Sequence, residues 1–322
     1  MTHTPMQGVP TIEDLRAAHE RILPYTHRTP VLTSLFIDET SGAEVFLKCE
    51  NFQRIGAFKF RGACNALFSM QDDELANGVT AHSSGNHGQA LALAARLRGT
   101  HATIVMPSNS SNVKLDAVRG YGAEIVLCEP TTESRHSESA RIVAETGAAL
   151  IHPFNDPRIV CGQGTAAREL LEEVSDLDVI LAPVGGGGLL SGTILAARER
   201  GAAIDVVGAE PAAADDAYRS LETGTLQPMI DPHTIADGLR TSLGPLTFAM
   251  IQTGAHGIVT VSEEQIIDAM RTIWMRMKVV IEPSAAVPVA AVLNHKLDRA
   301  AKRIGIIVSG GNVDLDALPW VS

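Results

Sequence analysis

Short apolar runs alternate with longer stretches of helical periodicity from one end of the chain to the other, and this restricts the fold more than any other feature of the sequence. It is the pattern of an α/β fold, in which helices cover the faces of a largely parallel sheet. The apolar runs lie at 44–47, 103–106, 124–127, 179–182, 206–209 and 304–308. Each is too short for a helix and bounded by turn-forming residues, so each is predicted to be a buried strand. Helices are predicted at 86–98, which is rich in Ala and Leu, at 112–121, and at 262–278, where Ser262 stands ahead of Glu264. At 322 residues the chain exceeds one ordinary domain. Residues 71–147 hold three strand-helix pairs, so a small domain is expected there, inserted into a large one built from 1–70 and 148–322.

Composition narrows the partners. Lys and Arg number 26 against 37 Asp and Glu, a formal charge of −11, which lacks the basic stripe a nucleic-acid binder needs. A small molecule is the expected partner. The four cysteines, Cys49, Cys64, Cys128 and Cys161, form no C-x-x-C pair, which argues against a zinc knuckle or a disulfide scaffold and fits a reducing cytoplasm. The first residues lack a charged start followed by an apolar stretch, and no run is long enough to span a bilayer, so neither export nor membrane insertion is expected.

Four segments carry the chemistry. Gly185, Gly186, Gly187 and Gly188 follow an apolar strand and lead into a helical pattern. Glycines let successive backbone N–H groups turn toward one centre, and the helix N-terminus adds its positive end, so this loop suits a phosphate. A flexible turn is the competing reading. The loop is neither a Walker loop nor G-x-G-x-x-G, although Asp205 and Glu210 near the next strand keep a dinucleotide-dependent oxidoreductase as an alternative. In the second segment Lys59 lies between Phe58 and Phe60 where a helix opens; apolar neighbours and the helix dipole both disfavour its ammonium form, as a Schiff-base lysine requires. The third, His82-Ser83-Ser84-Gly85-Asn86-His87, turns from a strand end into a helix and offers hydroxyls, an amide and backbone N–H groups to a carboxylate. A simple Ser helix cap would explain only part of it. The fourth, Ser309-Gly310-Gly311-Asn312, follows the last strong strand, where a serine could bond a ring nitrogen.

In this order and spacing the four segments resemble the fold-type II pyridoxal-phosphate enzymes, and most of all their serine racemase, threonine dehydratase and 3-hydroxyaspartate dehydratase branch. The resemblance implies two open, twisted, mostly parallel sheets with flanking helices, the tryptophan synthase β-like arrangement, and usually a homodimer. It implies that Lys59 is covalently linked to pyridoxal 5'-phosphate and that Gly185–Gly188 receive its phosphate. Asn86 is expected near the phenolic oxygen and Ser309 near the pyridine nitrogen, with Phe58, Gly238 and Glu282 also at the cofactor. Ser83, Ser84, Asn86 and His87 are expected to hold the substrate, and Ser84 to move a proton on the face opposite Lys59. The implied activity is dehydration and deamination of L-serine, L-threonine or 3-hydroxyaspartate, with serine or aspartate-type racemisation, or racemisation as the main activity, as alternatives.

Two further features come only with that resemblance. Glu210, the Ala214 carbonyl and Asp216 match a divalent-cation loop, for Mg²⁺ or else Ca²⁺ or Mn²⁺. Arg135 matches an arginine that can grip a second carboxylate, which a surface position on a helix would explain as well. Phe154, in His152-Pro153-Phe154, stands where animal serine racemases have asparagine and follows the threonine-dehydratase pattern.

Overall fold

The computed structural model describes residues 8–83, 85–201, 203–297 and 301–320. Its strands are β1 (Val31–Leu32), β2 (Glu44–Cys49), β3 (Val79–His82), β4 (Ala102–Pro107), β5 (Glu124–Cys128), β6 (Ala149–Leu150), β7 (Val179–Pro183), β8 (Asp205–Pro211), β9 (Gly257–Val261) and β10 (Arg303–Val308). The helices begin with α1 (Ile12–Ile22), α2 (Leu35–Ser41), α3 (Lys59–Ser69), α4 (Asn86–Arg98), α5 (Asn112–Gly120) and α6 (Thr132–Thr146). They continue with α7 (Pro157–Glu173), α8 (Gly188–Arg200), α9 (Asp216–Thr223), α10 (Pro245–Gly254), α11 (Glu263–Met277) and α12 (Pro283–Leu293).

Two sheets result. One has six strands in the order β1-β2-β10-β7-β8-β9, and the other four in the order β5-β4-β3-β6. All neighbours are parallel except β1, which runs antiparallel to β2. Strand β7, Val-Ile-Leu-Ala-Pro, is buried along its whole length. A parallel strand covered on both faces has no solvated side, so it reads as a continuous apolar run. Helix α11 starts at a capping box in which Ser262 and Gln265 satisfy each other's backbone N–H groups.

The second sheet runs from Val79 to Leu150, so β6 lies beyond the expected lobe boundary at 147. Gly147 ends α6 with φ 74°, and the two residues of β6 then join the edge of the sheet beside β3. Two residues are too short a run to show any periodicity. Helix α3, assigned to the large domain by sequence, shares its core with this second sheet: Phe60, Ala63 and Leu67 pack in one buried cluster with Leu91, Ala94 and Ile104. Fully burying a side chain such as Phe60 stabilises by about 1.5–3 kcal/mol. Lys59, the first residue of α3, is therefore anchored from the small-sheet side while the strand leading to it, β2, belongs to the large sheet.

Because β2, β7, β8 and β10 are parallel, their C-terminal ends share one edge. That edge is where open α/β sheets bind ligands.

Candidate active site

Each predicted motif sits at the carboxyl end of a strand. The chain leaves β2 through two short turns of 3-10 helix, Glu50–Phe52 and Arg54–Gly56, in which Ile55 and Gly56 have φ of 61° and 72°. A β-branched residue in the left-handed region costs of order 1–3 kcal/mol and persists only when its surroundings impose it. Here they do. Asn312 Nδ2 donates to the Ile55 carbonyl at 2.7 Å, Gly311 N to the Gly56 carbonyl at 2.9 Å, and Phe58 N to the Ser309 carbonyl at 2.9 Å. The segment after β10 thus fixes the start of α3 and with it Lys59.

Lys59 is half-buried, and its Nζ donates to the Pro153 carbonyl at 3.0 Å, with the Phe58 ring 5.2 Å away. Burial pulls the amine down to about 8, opposed by the carboxylate of Glu282. Glu282 is itself pushed up to about 7 by burial, although hydrogen bonding by Asn86 works the other way. Asn86 Nδ2 spans both Glu282 oxygens at 3.0 and 3.1 Å, and Asn86 Oδ1 accepts from Asn312 Nδ2 at 2.8 Å. Asn86 begins α4 beside the small sheet, whereas Glu282 caps α12 and Asn312 follows β10. These bonds therefore cross the cleft between the two sheets. A second tie crosses it at Lys114 of α5, whose ammonium pairs with Asp237 at 2.5 Å.

Opposite lies the glycine turn. Gly187 caps α8 with φ 82°, a conformation that L side chains rarely adopt. A Cβ on Gly186 would fall inside the Phe154 ring, and one on Gly185 would meet Leu239 Cα at 3.0 Å and the Gly238 carbonyl at 3.1 Å. Gly238 therefore borders the turn. Thr247 Oγ1 donates to the Gly186 carbonyl at 2.8 Å and holds the turn from behind. Free N–H groups at a helix N-terminus beside a half-buried, easily deprotonated lysine fit a cofactor that has both a phosphate and an aldehyde.

A family model described as pyridoxal-phosphate dependent enzyme matches residues 22–310. The chain belongs to this family. Among its members, the β-hydroxyaspartate dehydratase of Paracoccus denitrificans is 50% identical over 312 residues, covering 97% of this chain and 99% of that protein. The serine racemase of Dictyostelium discoideum is 48% identical over 318 residues, 98% of each chain. Its crystal structure superposes with a TM-score of 0.92 over 96% of this chain and 100% of that one. The architecture is thus that of a fold-type II pyridoxal-phosphate enzyme.

Within this pyridoxal-phosphate enzyme some expected residues take other places. Ser84 lies outside the described residues; Ser83 Oγ accepts from Gly85 N at 3.3 Å. The His87 ring turns into the core, with Nε2 at 3.1 Å from the Ile151 carbonyl and burial holding its pKa near 3, so only its backbone remains at the α4 N-terminus. Arg135 curls onto the start of its own helix, donating to the Thr131 carbonyl at 3.3 Å, and makes no bond to the Lys59 cluster. The ribose-binding alternative fails on register: Asp205 pairs with Val179 at the far end of the sheet, and both Glu210 oxygens accept backbone N–H groups, from Ala217 at 3.2 Å and Tyr218 at 2.8 Å. Asn312 and His152 are residues of the site to which the sequence assigned no role.

The expected metal loop lies apart from the Lys59 cluster, where β8 passes into α9. Glu210 and Asp216 are fully buried, and Asp216 Oδ2 accepts from Leu243 N at 3.2 Å. Among the described residues no group of three or more His, Cys, Asp or Glu could hold a metal ion, so this loop offers two carboxylates and the Ala214 carbonyl.

Proposed function

We propose that this enzyme removes water and ammonia from a small β-hydroxy amino acid, 3-hydroxyaspartate, L-serine or L-threonine, leaving a keto acid. The observation that carries the reading is Lys59: an amine held near pKa 8 at the start of α3, beside a glycine turn at the start of α8. Pyridoxal phosphate, when bound, supplies a ring that withdraws electrons from the substrate Cα. Lys59 would hold its aldehyde, Gly185–Gly188 its phosphate, Asn86 its phenolic oxygen and Ser309 its ring nitrogen. Gly238, Phe58 and Glu282 would complete the contacts. Neutral Lys59 is the base that takes the Cα proton. Ser309, having no charge to offer, does not hold a proton on the ring nitrogen, which favours prompt loss of the β-substituent. The backbone N–H groups at the start of α4 and the Ser83 hydroxyl receive the substrate carboxylate.

The test is ammonia and keto-acid release across L-serine, L-threonine and the stereoisomers of 3-hydroxyaspartate. Release from none of them would end the reading. Racemisation is the second activity, motivated by the serine at position 84. Ser84→Ala is expected to remove racemisation while leaving dehydration of the L-substrate partly intact, measured by chiral chromatography alongside keto-acid formation; equal loss of both would count against it.

The amine at Lys59 also sets a pH dependence. Only its neutral form attacks an aldehyde, and with a pKa of about 8 roughly a tenth is neutral at pH 7. Reconstitution of the cofactor-free protein is expected to speed up about tenfold between pH 7 and about pH 9 and to level off above that. A rate still climbing toward pH 10 in stopped-flow absorbance would show an unshifted lysine.

A divalent cation, Mg²⁺ or else Ca²⁺ or Mn²⁺, would be held by Glu210, Ala214 and Asp216. Support comes from Asp216 Oδ1, which is buried with no hydrogen-bond partner. Burial, and then Asp216, raise the Glu210 carboxyl well above its usual range, a strain that a cation relieves. Adding Mg²⁺ to EDTA-treated protein at a hundred times its Kd is expected to stabilise by about 2.7 kcal/mol, and Asp216→Asn to abolish the rise in Tm. An unchanged Tm would remove the metal from the account.

The lobe carrying the four-stranded sheet is proposed as the smaller, moving domain. A homodimer is proposed too, since Leu35 and Phe36 on α2 and Met275 on α11 expose apolar side chains on neighbouring helices, with Arg276 stacked on Phe36 at 4.3 Å. All four cysteines are free and buried, which suits a reducing cytoplasm. No helix among the described residues is long and apolar enough to cross a membrane.

A further inference from the structure

His152 lies on the segment after β6, next to Pro153, whose carbonyl accepts Lys59 Nζ. Its ring is held in one tautomer. Nδ1 accepts from the backbone N–H of Asn155 at 2.9 Å and of Phe154 at 3.3 Å. A proton on Nδ1 would face these two N–H dipoles, so the ring proton is confined to Nε2.

The orientation is fixed as well. Phe154 meets the ring edge-on with centroids 4.6 Å apart, and Phe154 is itself pressed against Gly186 and Gly188 of the glycine turn. On another side His82, the last residue of β3, approaches edge-on at 6.2 Å. The ring is half-buried, and Nε2 has no hydrogen-bond partner among the described residues. Burial pulls its pKa to about 4; Asp156 opposes this, and the charges of Lys59 and His136 add to it. The result is a neutral, directional N–H donor beside Lys59, pre-set by the same packing that shapes the glycine turn.

We infer that His152 Nε2–H donates a hydrogen bond to the β-oxygen of the substrate and so selects amino acids bearing oxygen at Cβ. The inference rests on the elimination reading above. His152 itself gives up no proton: its bond orients the Cβ–O bond relative to Lys59 and stabilises charge developing on that oxygen, while the Lys59 ammonium formed by taking the Cα proton returns a proton to the oxygen so that it departs as water.

Two variants separate this role from the local cap. His152→Asn places an amide oxygen near the Nδ1 position and keeps the cap on residues 154 and 155 but removes the outer donor. His152→Gln places an amide N–H near the Nε2 position. The readout is the ratio of kcat/KM for L-serine, and for 3-hydroxyaspartate, over that for β-chloro-L-alanine, whose chloride is a weak acceptor and leaves without needing a proton. His152→Asn is expected to lower both ratios by roughly ten- to a hundredfold, the range for one lost hydrogen bond to a buried partner, and His152→Gln to restore most of the loss. Nitrogen-15 NMR of the wild-type ring should find its proton on Nε2. Equal losses on all three substrates, a loss confined to 3-hydroxyaspartate, or a ring proton on Nδ1 would each overturn the inference. Unchanged ratios in His152→Asn alongside an active wild type sink this inference alone. A wild type inactive on all three substrates sinks the elimination reading, and this with it.

Discussion

Lys59→Ala is expected to yield a folded protein that releases no measurable ammonia, with kcat/KM reduced by roughly ten-thousandfold, the upper end of what one positioned base contributes. Two functions fall together, because the nitrogen that would anchor the cofactor is also the one that takes the Cα proton. Stability should barely move. The variant leaves the Pro153 carbonyl without its donor at a cost of about 1 kcal/mol, but it also removes an amine whose burial is unfavourable enough to pull it down to about 8. Ammonia assays combined with a thermal melt check both halves. Residual activity above one-hundredth of wild type would mean that another group serves as the base.

The second large effect lies two residues away and is one of stability. Arg61 is fully buried, its guanidinium gripping both oxygens of Glu50 at 2.7 and 2.8 Å and both oxygens of Glu169 at 2.8 and 2.9 Å. Lys48, also fully buried, adds a contact to Glu169 at 2.8 Å and donates to the Thr29 carbonyl at 2.6 Å. Two cations thus balance two carboxylates in the interior, tying α3 to α7 and β2. Replacing a whole buried network with apolar groups can be neutral, whereas removing one partner strands the others. Arg61→Met leaves Glu50 and Glu169 with only Lys48 to balance them, and the expected loss is about 3–5 kcal/mol in denaturant unfolding. That is a large share of the roughly 5–15 kcal/mol by which folded proteins are stable. Arg141→Met, which breaks an exposed pair with Glu145, is the control and should leave the midpoint where it is. A midpoint for Arg61→Met equal to that of Arg141→Met would refute the claim that this network anchors the catalytic helix.

Much of this architecture was legible in the chain because α/β layers write themselves into sequence. Strands β2, β4, β5, β7, β8 and β10 all fall on predicted apolar runs, and α4 begins and ends where its Ala- and Leu-rich stretch does. Strands β1 and β6, of two residues each, are too short to show a period. Helix α12, buried on every side and interrupted by Pro288, shows neither a polar face nor an unbroken helical composition. The glycine turn, Asn86 and Ser309 were readable because each lies just past the end of a strand, and Lys59 because it stands between two phenylalanines where a helix opens. What could not be read was contact between distant positions. Asn86 meets Glu282 across 196 positions and Asn312 across 226, and the His152 tautomer depends on how the chain bends after β6. Lys48, Glu50, Arg61 and Glu169 look like ordinary surface charges until their burial is known.

The most direct test of the central claim is chemical. The purified protein is treated with borohydride, digested, and its peptides sequenced by mass spectrometry. The account predicts that the visible absorbance disappears and that a pyridoxyl group remains on the nitrogen of Lys59. A protein with no such absorbance to lose, or a label carried by Lys48 or Lys114 instead, would contradict it.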